Sequence, residues 1–435
     1  MWFMTFVELI ESARSSTPRR VVYFRAILLI IALVLIPKAA ELGGIRFRAG
    51  PHKLVDFEGF HLAGQLVWSG TIDQAYHFVT MFLLQKTLSN SETFQPWTYP
   101  PQFDVLVAPL ALLPMGLAYS VFMVSTLAAY LATLKRIAAE NFVPALILLA
   151  PITVITIGCG QNGFLTGTLI GLTCLGLQRR SAWAGLPLGL MIIKPHLAVA
   201  FAVYTLVNRR WGTGLVAAAT VAATSAFATL ALGPGVWTAF LGGVKEARVF
   251  LDHGFYPFFR MVSVYAFVRS LGFSGFVASA GQVLVALVAL GAVVLASHKF
   301  SPRRALGVTA IATVLISPYE YDYDLMTLGV ALGFLLPDLA NFGTNRERLA
   351  LYASTLLIGI FSIVLTVISA ASSPDKVIEE SANLLSLGGL ALVTILALTW
   401  RILWRENRTR SAEASVNVSS FVHVHSSPTA MFEMK

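Results

Sequence analysis

The sequence predicts an all-α, polytopic membrane bundle, and three observations predict it. Of the 435 residues 56% are hydrophobic and only 12% charged, about half the charged share of a soluble protein. The mean hydropathy is +0.74, and apolar runs of near-spanning length recur along the whole chain. The alternating segments of a membrane β-barrel are absent. We expect about 10–13 membrane helices, with a re-entrant or interfacial segment on the outer side.

Basic pairs between the apolar runs give the orientation. The net charge of +9 is of this kind and is no nucleic-acid footprint. With Arg19 and Arg20 inside, residues 1–20 are a cytoplasmic N-terminus. The first span, about 21–39, reads as an uncleaved signal anchor rather than a cleaved signal peptide. Residues 40–100 are too mixed in polarity to span and form an extracytoplasmic segment. The proline-rich run 101–114 reads as a partly inserted helix. Spans near 115–134, 142–158 and 163–178 follow, turning at Lys135/Arg136, at Gly160-Gln161-Asn162 and at Arg179/Arg180.

The stretch 182–208 reads as two short helices broken at Lys194-Pro195-His196. Proline removes a donor and disfavours helix in the residue before it. Such a break is tolerated at membrane depth where it lines a polar cavity, and it keeps Arg209/Arg210 on the same side as Arg179/Arg180. A span near 212–232 leads to a second extracytoplasmic segment, 233–262, with an interfacial helix. Spans near 277–297, 304–317, 325–337, 348–371 and 382–404 complete a transmembrane domain over 21–404. Residues 405–435 are polar and unpatterned and are expected to be a disordered cytoplasmic tail. His423 and His425 fall there and suggest no metal site. Cys159 and Cys174 lie in apolar runs and read as small core residues.

This orientation places the unusual polar residues on one face: Asp56, Glu58, His61, Tyr99, Gln161, Asn162, Lys194, His196 and the Glu320–Asp324 cluster. Ionisable residues near membrane depth are costly and usually face a functional cavity. Each also has a plainer role open to it. Asp56 suits an N-cap, and Glu58 complements a helix dipole. Lys194 can snorkel, and His196 suits a structural hydrogen bond. Gln161 and Asn162 suit a turn, and Tyr319, Tyr321 and Tyr323 an aromatic belt. Phosphate loops, HExxH, paired CxxC and GxSxG motifs are absent. An outward-facing enzyme must use a donor other than a soluble nucleotide sugar, and a lipid-linked donor fits a site at the leaflet boundary.

The order of motifs resembles glycosyltransferase family 87, GT-C-like membrane enzymes that use polyprenyl-phosphate sugars. The motifs are Asp56-Phe57 through Ala63, Gly70 to Tyr76, Tyr99-Pro100-Pro101, Leu113-Pro114, Gly160-Gln161-Asn162, Ala184-Gly185 with Gly189-Leu190, Lys194-Pro195, and Ser317-Pro318 to Asp324. They span about residues 50–330. Many members carry Trp and His in the last block, where this chain has Tyr321-Asp322-Tyr323-Asp324.

The resemblance implies inverting transfer of a hexosyl, for instance mannosyl, residue from a polyprenyl-phosphate sugar to an envelope glycan or glycolipid acceptor. The site would face outward from the plasma membrane. Asp56 would be the general base. Lys194, with His196 and Arg260, would hold the donor phosphate. Glu58, His61, Tyr99, Gln161, Asn162, Tyr321, Asp322 and Asp324 would contact sugar or acceptor. No cofactor and no metal is required, because lysine or arginine can hold the phosphate. Membrane lipid is a partner and nucleic acid is not. Two other readings stay open from residues alone. One is a transporter or flippase, which would need polar residues on both faces. The other is a non-catalytic subunit of a polysaccharide assembly complex, for which Asp56 would be dispensable.

Overall fold

The computed structural model describes residues 2–45, 52–92, 94–371 and 384–425. Among them it is all-α, with a single antiparallel bridge, Met261 to Tyr321. Seven stretches are long and apolar enough to cross a bilayer. They are α2 (Thr17–Leu42), the pair α6 (Met115–Ala138) and α7 (Phe142–Cys159), α11 (Trp211–Leu232), α14 (Gly275–Lys299), the stretch Asp322–Phe342, and the apolar parts of α17 (Asn345–Ala371) and α18 (Gly388–His425). Shorter apolar helical segments are Pro101–Leu112, Gly163–Gln178, Ala182–Ile193 and Pro195–Val207. They carry α5 (Pro101–Val107), α8 (Gly163–Gln178), α9 (Gly185–Leu190) and α10 (Val199–Val207). The remaining helices are α1 (Trp2–Ser15), α3 (Asp56–Trp68), α4 (Phe78–Ser89), α12 (Gly235–Asp252), α13 (Val264–Ser270), α15 (Pro302–Thr313) and α16 (Met326–Phe342).

The core is built around α6, α7, α8, α15 and α16, which pack on one another. Small residues let them close. Gly167, Gly171 and Gly329 meet the side chains of Tyr130 and Thr133 directly, as membrane helices do where backbones approach. Flanking helices keep apolar faces outward: Leu29, Leu33 and Ile36 on α2, Leu215, Phe227 and Leu230 on α11, Phe276 and Leu284 on α14 are all exposed. Such faces suit acyl chains rather than water, and the protein is a multi-pass membrane protein.

Helices extend to both ends of the described chain. Residues 2–15 form an amphipathic helix whose Val7, Ile10 and Ala13 are buried. Its Glu11 receives Arg348 Nη1 at 2.7 Å. The expected tail is helical for part of its length, since α18 runs on to His425. Near the start of that stretch Glu406 is buried against Arg304 of α15. Residues 426–435 lie outside the described residues.

The loop between α15 and α16 carries residues 314–325, with Glu320–Asp324 at its tip. The opposite end of this hairpin is tied by ions. Arg304 donates from Nε to Asp338 Oδ1 at 3.0 Å and from Nη1 to Glu406. Arg303 adds a contact to Asp338 at 3.6 Å.

Candidate active site

The helix carrying Asp56 begins where the sequence predicts, but a different residue caps it. Val55 is the N-cap residue, and the Glu58 carboxylate accepts from its N–H at 2.9 Å. Glu58 also receives His52 Nε2 at 2.7 Å. These bonds complete the first turn as a capping-box glutamate does and leave Asp56 free of that duty. Glu58 thus supports the turn and is not part of the polar cluster. His61, on another side of the helix, donates from Nε2 to the Leu113 carbonyl at 3.0 Å. The expected sugar contacts from Glu58 and His61 do not fit these placements.

Asp56 is half-buried. Among the described residues its side chain accepts one hydrogen bond, from Gln161 Nε2 at 2.9 Å. Burial pushes its carboxyl above the usual carboxylate range, against the pull of the nearby Arg260 and Lys194 charges and the Gln161 hydrogen bond. The other end of Gln161 accepts from Tyr99 Oη at 2.8 Å and from the Asn162 N–H at 2.8 Å. The amide is therefore oriented by its acceptor side, and its NH₂ must face Asp56.

The turn holding Gln161 is shaped by two glycines. Gly160 ends α7 at φ +67, a left-handed conformation, and a Cβ there would strike Phe57 and Tyr119. A Cβ on Gly163 would fall on the Tyr323 carbonyl. The turn is thus pressed between α3 and the 320–324 segment. The Asn162 side-chain amide is fully buried, with neither polar atom hydrogen-bonded.

Tyr99 stacks on Phe103 at 4.2 Å and meets Phe60 edge-on at 5.5 Å. Below it lies a residue the sequence reading missed. Asp104 is fully buried and accepts from Tyr76 Oη at 2.6 Å and Trp97 Nε1 at 2.9 Å. Tyr76 Oη also donates to the Tyr99 carbonyl at 2.9 Å. The one signal for it in the sequence is a lone acid within the apolar run 101–114.

The predicted break in 182–208 is present. Helix-like turns end at Ile193, Lys194 leaves the helical conformation at φ −142 and ψ 75, and Pro195 begins the next turn. This turns Lys194 into the bundle, where it is buried and donates to Asp324 Oδ1 at 2.6 Å. The lysine does not snorkel. Its ammonium also sits over the Tyr323 ring at 4.9 Å.

Arg260 grips Asp322 with two bonds, Nε to Oδ2 at 3.1 Å and Nη2 to Oδ1 at 2.9 Å. Its Nη2 also approaches Cys159 Sγ at 3.2 Å. Cys159 is therefore a polar neighbour of the site, whereas Cys174 is an ordinary core residue. Tyr321 and Tyr323 stack in parallel at 5.2 Å, with Arg260 beside both. The backbone bond from Val262 N–H to the Glu320 carbonyl, 2.8 Å, locks this segment against residues 258–262.

Asp56, Tyr99, Gln161, Asn162, Lys194, His196, Arg260, Tyr321, Asp322 and Asp324 thus gather in one cluster from separate parts of the chain. Both cations, the buried Lys194 and the half-buried Arg260, are already paired with carboxylates. Lys53, exposed at the edge, lies close enough to Arg260 for their charges to interact. The cluster can accept a proton at Asp56 and offers two cations, reachable by exchange with Asp322 and Asp324, to an anionic group. It also presents amides and phenols to hydroxyls.

No curated protein matches the chain by sequence. Two crystal structures of ArnT from Cupriavidus metallidurans are similar to it. The apo form is 15% identical, over 90% of this chain and 78% of that one, with a TM-score of 0.36. The form bound to undecaprenyl phosphate is 16% identical over the same shares, with a TM-score of 0.35. The profile of glycosyltransferase family 87 matches residues 97–318, a narrower span than the motifs suggest but just over half of the 435 residues. It takes in Tyr99, Gln161, Asn162, Lys194 and Arg260, and the chain belongs to glycosyltransferase family 87.

Proposed function

We propose that this membrane glycosyltransferase moves a hexosyl residue from a polyprenyl-phosphate sugar to a glycan or glycolipid acceptor, on the extracytoplasmic face of the plasma membrane, with inversion. Asp56 is the general base. It takes the proton of the acceptor hydroxyl as that oxygen bonds to the anomeric carbon. The bond from that carbon to the phosphate oxygen breaks, and the polyprenyl phosphate leaves with the electron pair. Lys194 and Arg260 exchange Asp324 and Asp322 for the phosphate and offset its charge. Tyr99 and Asn162 bind sugar hydroxyls, and Tyr321 supplies an apolar wall.

The observation that carries this reading is the setting of Asp56. It is a half-buried carboxylate held by one amide, with two cations nearby and neither of them bound to it. A carboxylate kept for structure would be paired with one of those cations, as Asp322 and Asp324 are.

The test uses the purified protein, a panel of polyprenyl-phosphate hexoses and membrane glycolipid acceptors. Asp56→Asn is expected to cut transfer by roughly 10²–10⁴-fold while donor binding persists. Undiminished transfer would remove Asp56 as the base. The sidedness has its own check. A cysteine at the exposed Glu92 position, labelled in intact cells by an impermeant maleimide, supports the outward face; labelling from the cytoplasm alone overturns it.

A further inference from the structure

Glu320 is the acid of the cluster that the proposed chemistry leaves unused. Its side chain is completely buried, and neither carboxylate oxygen is hydrogen-bonded. Leaving a buried charge in this state costs several kcal/mol unless something pairs with it. Asp322 has Arg260 and Asp324 has Lys194. The nearest cationic candidate for Glu320 is His196, whose Nε2 is 3.4 Å from Oε2, is buried and makes no hydrogen bond either. Two orphaned polar groups therefore face each other. Asp324 stands beside them, and one ligand atom from each of the three residues lies within 4.8 Å of the others.

We propose that His196, Glu320 and Asp324 bind a divalent metal ion of the Zn²⁺ or Mn²⁺ class. One imidazole nitrogen and two carboxylate oxygens form a donor set that such ions accept. Around an ion with bonds of about 2.0–2.2 Å the donors stand roughly 3–4 Å apart. Small rotamer changes close the observed set to that size. A bound cation would partner the two carboxylate oxygens of Glu320 that are otherwise without a hydrogen bond. The charge count agrees: three buried carboxylates, Glu320, Asp322 and Asp324, face two cations, Lys194 and Arg260, with the half-buried Asp56 in addition.

The break at Lys194-Pro195 assembles this set. It brings His196 to the tip of the α15–α16 hairpin on the same turn that sends Lys194 to Asp324. Three protein ligands leave a coordination position open. On the glycosyl-transfer reading, that position takes an oxygen of the donor phosphate, beside Lys194. Metal binding itself does not depend on that reading.

The full-length protein in detergent, stripped with a chelator, is titrated with Mn²⁺ and the free ion followed by electron paramagnetic resonance. Zn²⁺ is added in competition. One ion per chain is expected. Its affinity should weaken by more than about 10-fold in both Glu320→Gln and His196→Ala, since outer-sphere changes alone reach that scale. His253→Ala, at an exposed position elsewhere, should leave it unchanged. His196 is only half-buried, so its variant keeps the test valid if Glu320→Gln does not fold. No saturable binding to wild type, or weakening of less than about 10-fold in the folded variants, overturns the site. Because the readout is binding, a missing ion refutes the metal without touching the role of Asp56, and an inactive metal-loaded enzyme does the reverse.

Discussion

Replacing Gln161 by methionine removes the hydrogen bond that holds Asp56 while nearly keeping the side-chain volume. In the wild type Gln161 Nε2 donates to the Asp56 carboxylate at 2.9 Å. A hydrogen bond to a charged group contributes about 1.5–3 kcal/mol net. At about 1.36 kcal/mol per pKa unit, its loss raises the Asp56 pKa by roughly one to two units. Asp56 is half-buried, so water replaces part of the loss, and the lower end, about one unit, is expected. The sign follows from the proton balance. The base works only when ionised, so activity is present above its pKa and is lost as pH falls through it. Burial already raises that pKa. Gln161→Met raises it further and moves the acid limb to higher pH. The assay is kcat/KM for transfer from a polyprenyl-phosphate hexose across the acid range. Tyr99→Phe is the control: it deletes the hydroxyl on the far side of Gln161 and leaves the bond to Asp56, so the limb stays in place even if the rate falls. An acid limb in Gln161→Met that moves by less than about 0.3 unit, or moves down, refutes Asp56 as the titrating base.

Two further outcomes follow from packing. Asp322→Asn leaves the half-buried Arg260 guanidinium without its counter-charge and should destabilise the protein by about 3 kcal/mol, the low end for a buried pair; the double variant Asp322→Asn/Arg260→Gln should recover part of this, read by thermal unfolding in detergent, and a double variant less stable than the single one contradicts the pairing. Gly163→Ala should cost about 1–3 kcal/mol, because its methyl group falls on the Tyr323 carbonyl, and unchanged stability would show that the 320–324 segment is not pressed against the turn.

The fold was legible because the bilayer imposes it. Apolar run length and basic pairs located the helices, and the Lys194-Pro195 break followed from the backbone chemistry of proline. The pairings were not legible. Lys194 and Asp324 are 130 residues apart, Arg260 and Asp322 are 62 apart, and no local pattern says which cation takes which acid. The cations consequently read as free for phosphate, whereas both are engaged. Asp104 was hidden by a neighbourhood that looked uniformly apolar. Glu58 and His61 share a helix with Asp56 and read as companions, but helical rotation sends them to the 52–55 loop and to Leu113. The helical course of residues 406–425 was missed because composition said polar, while the buried bond from Arg304 to Glu406 holds the start of that stretch against the bundle.

The ion network at Arg304, Asp338 and Glu406 has a mechanical consequence. The α15–α16 hairpin is fixed there at its base and fixed at its tip by the Arg260–Asp322 bond and the Val262–Glu320 backbone bond. A beam clamped at both ends resists sliding and tilting. A pump that exposes its cargo to alternate sides needs such an element to rock, whereas an enzyme working from one side needs it to stay still. On the proposed glycosyl-transfer reading, the hairpin is the fixed anvil on which the glycosidic bond is made.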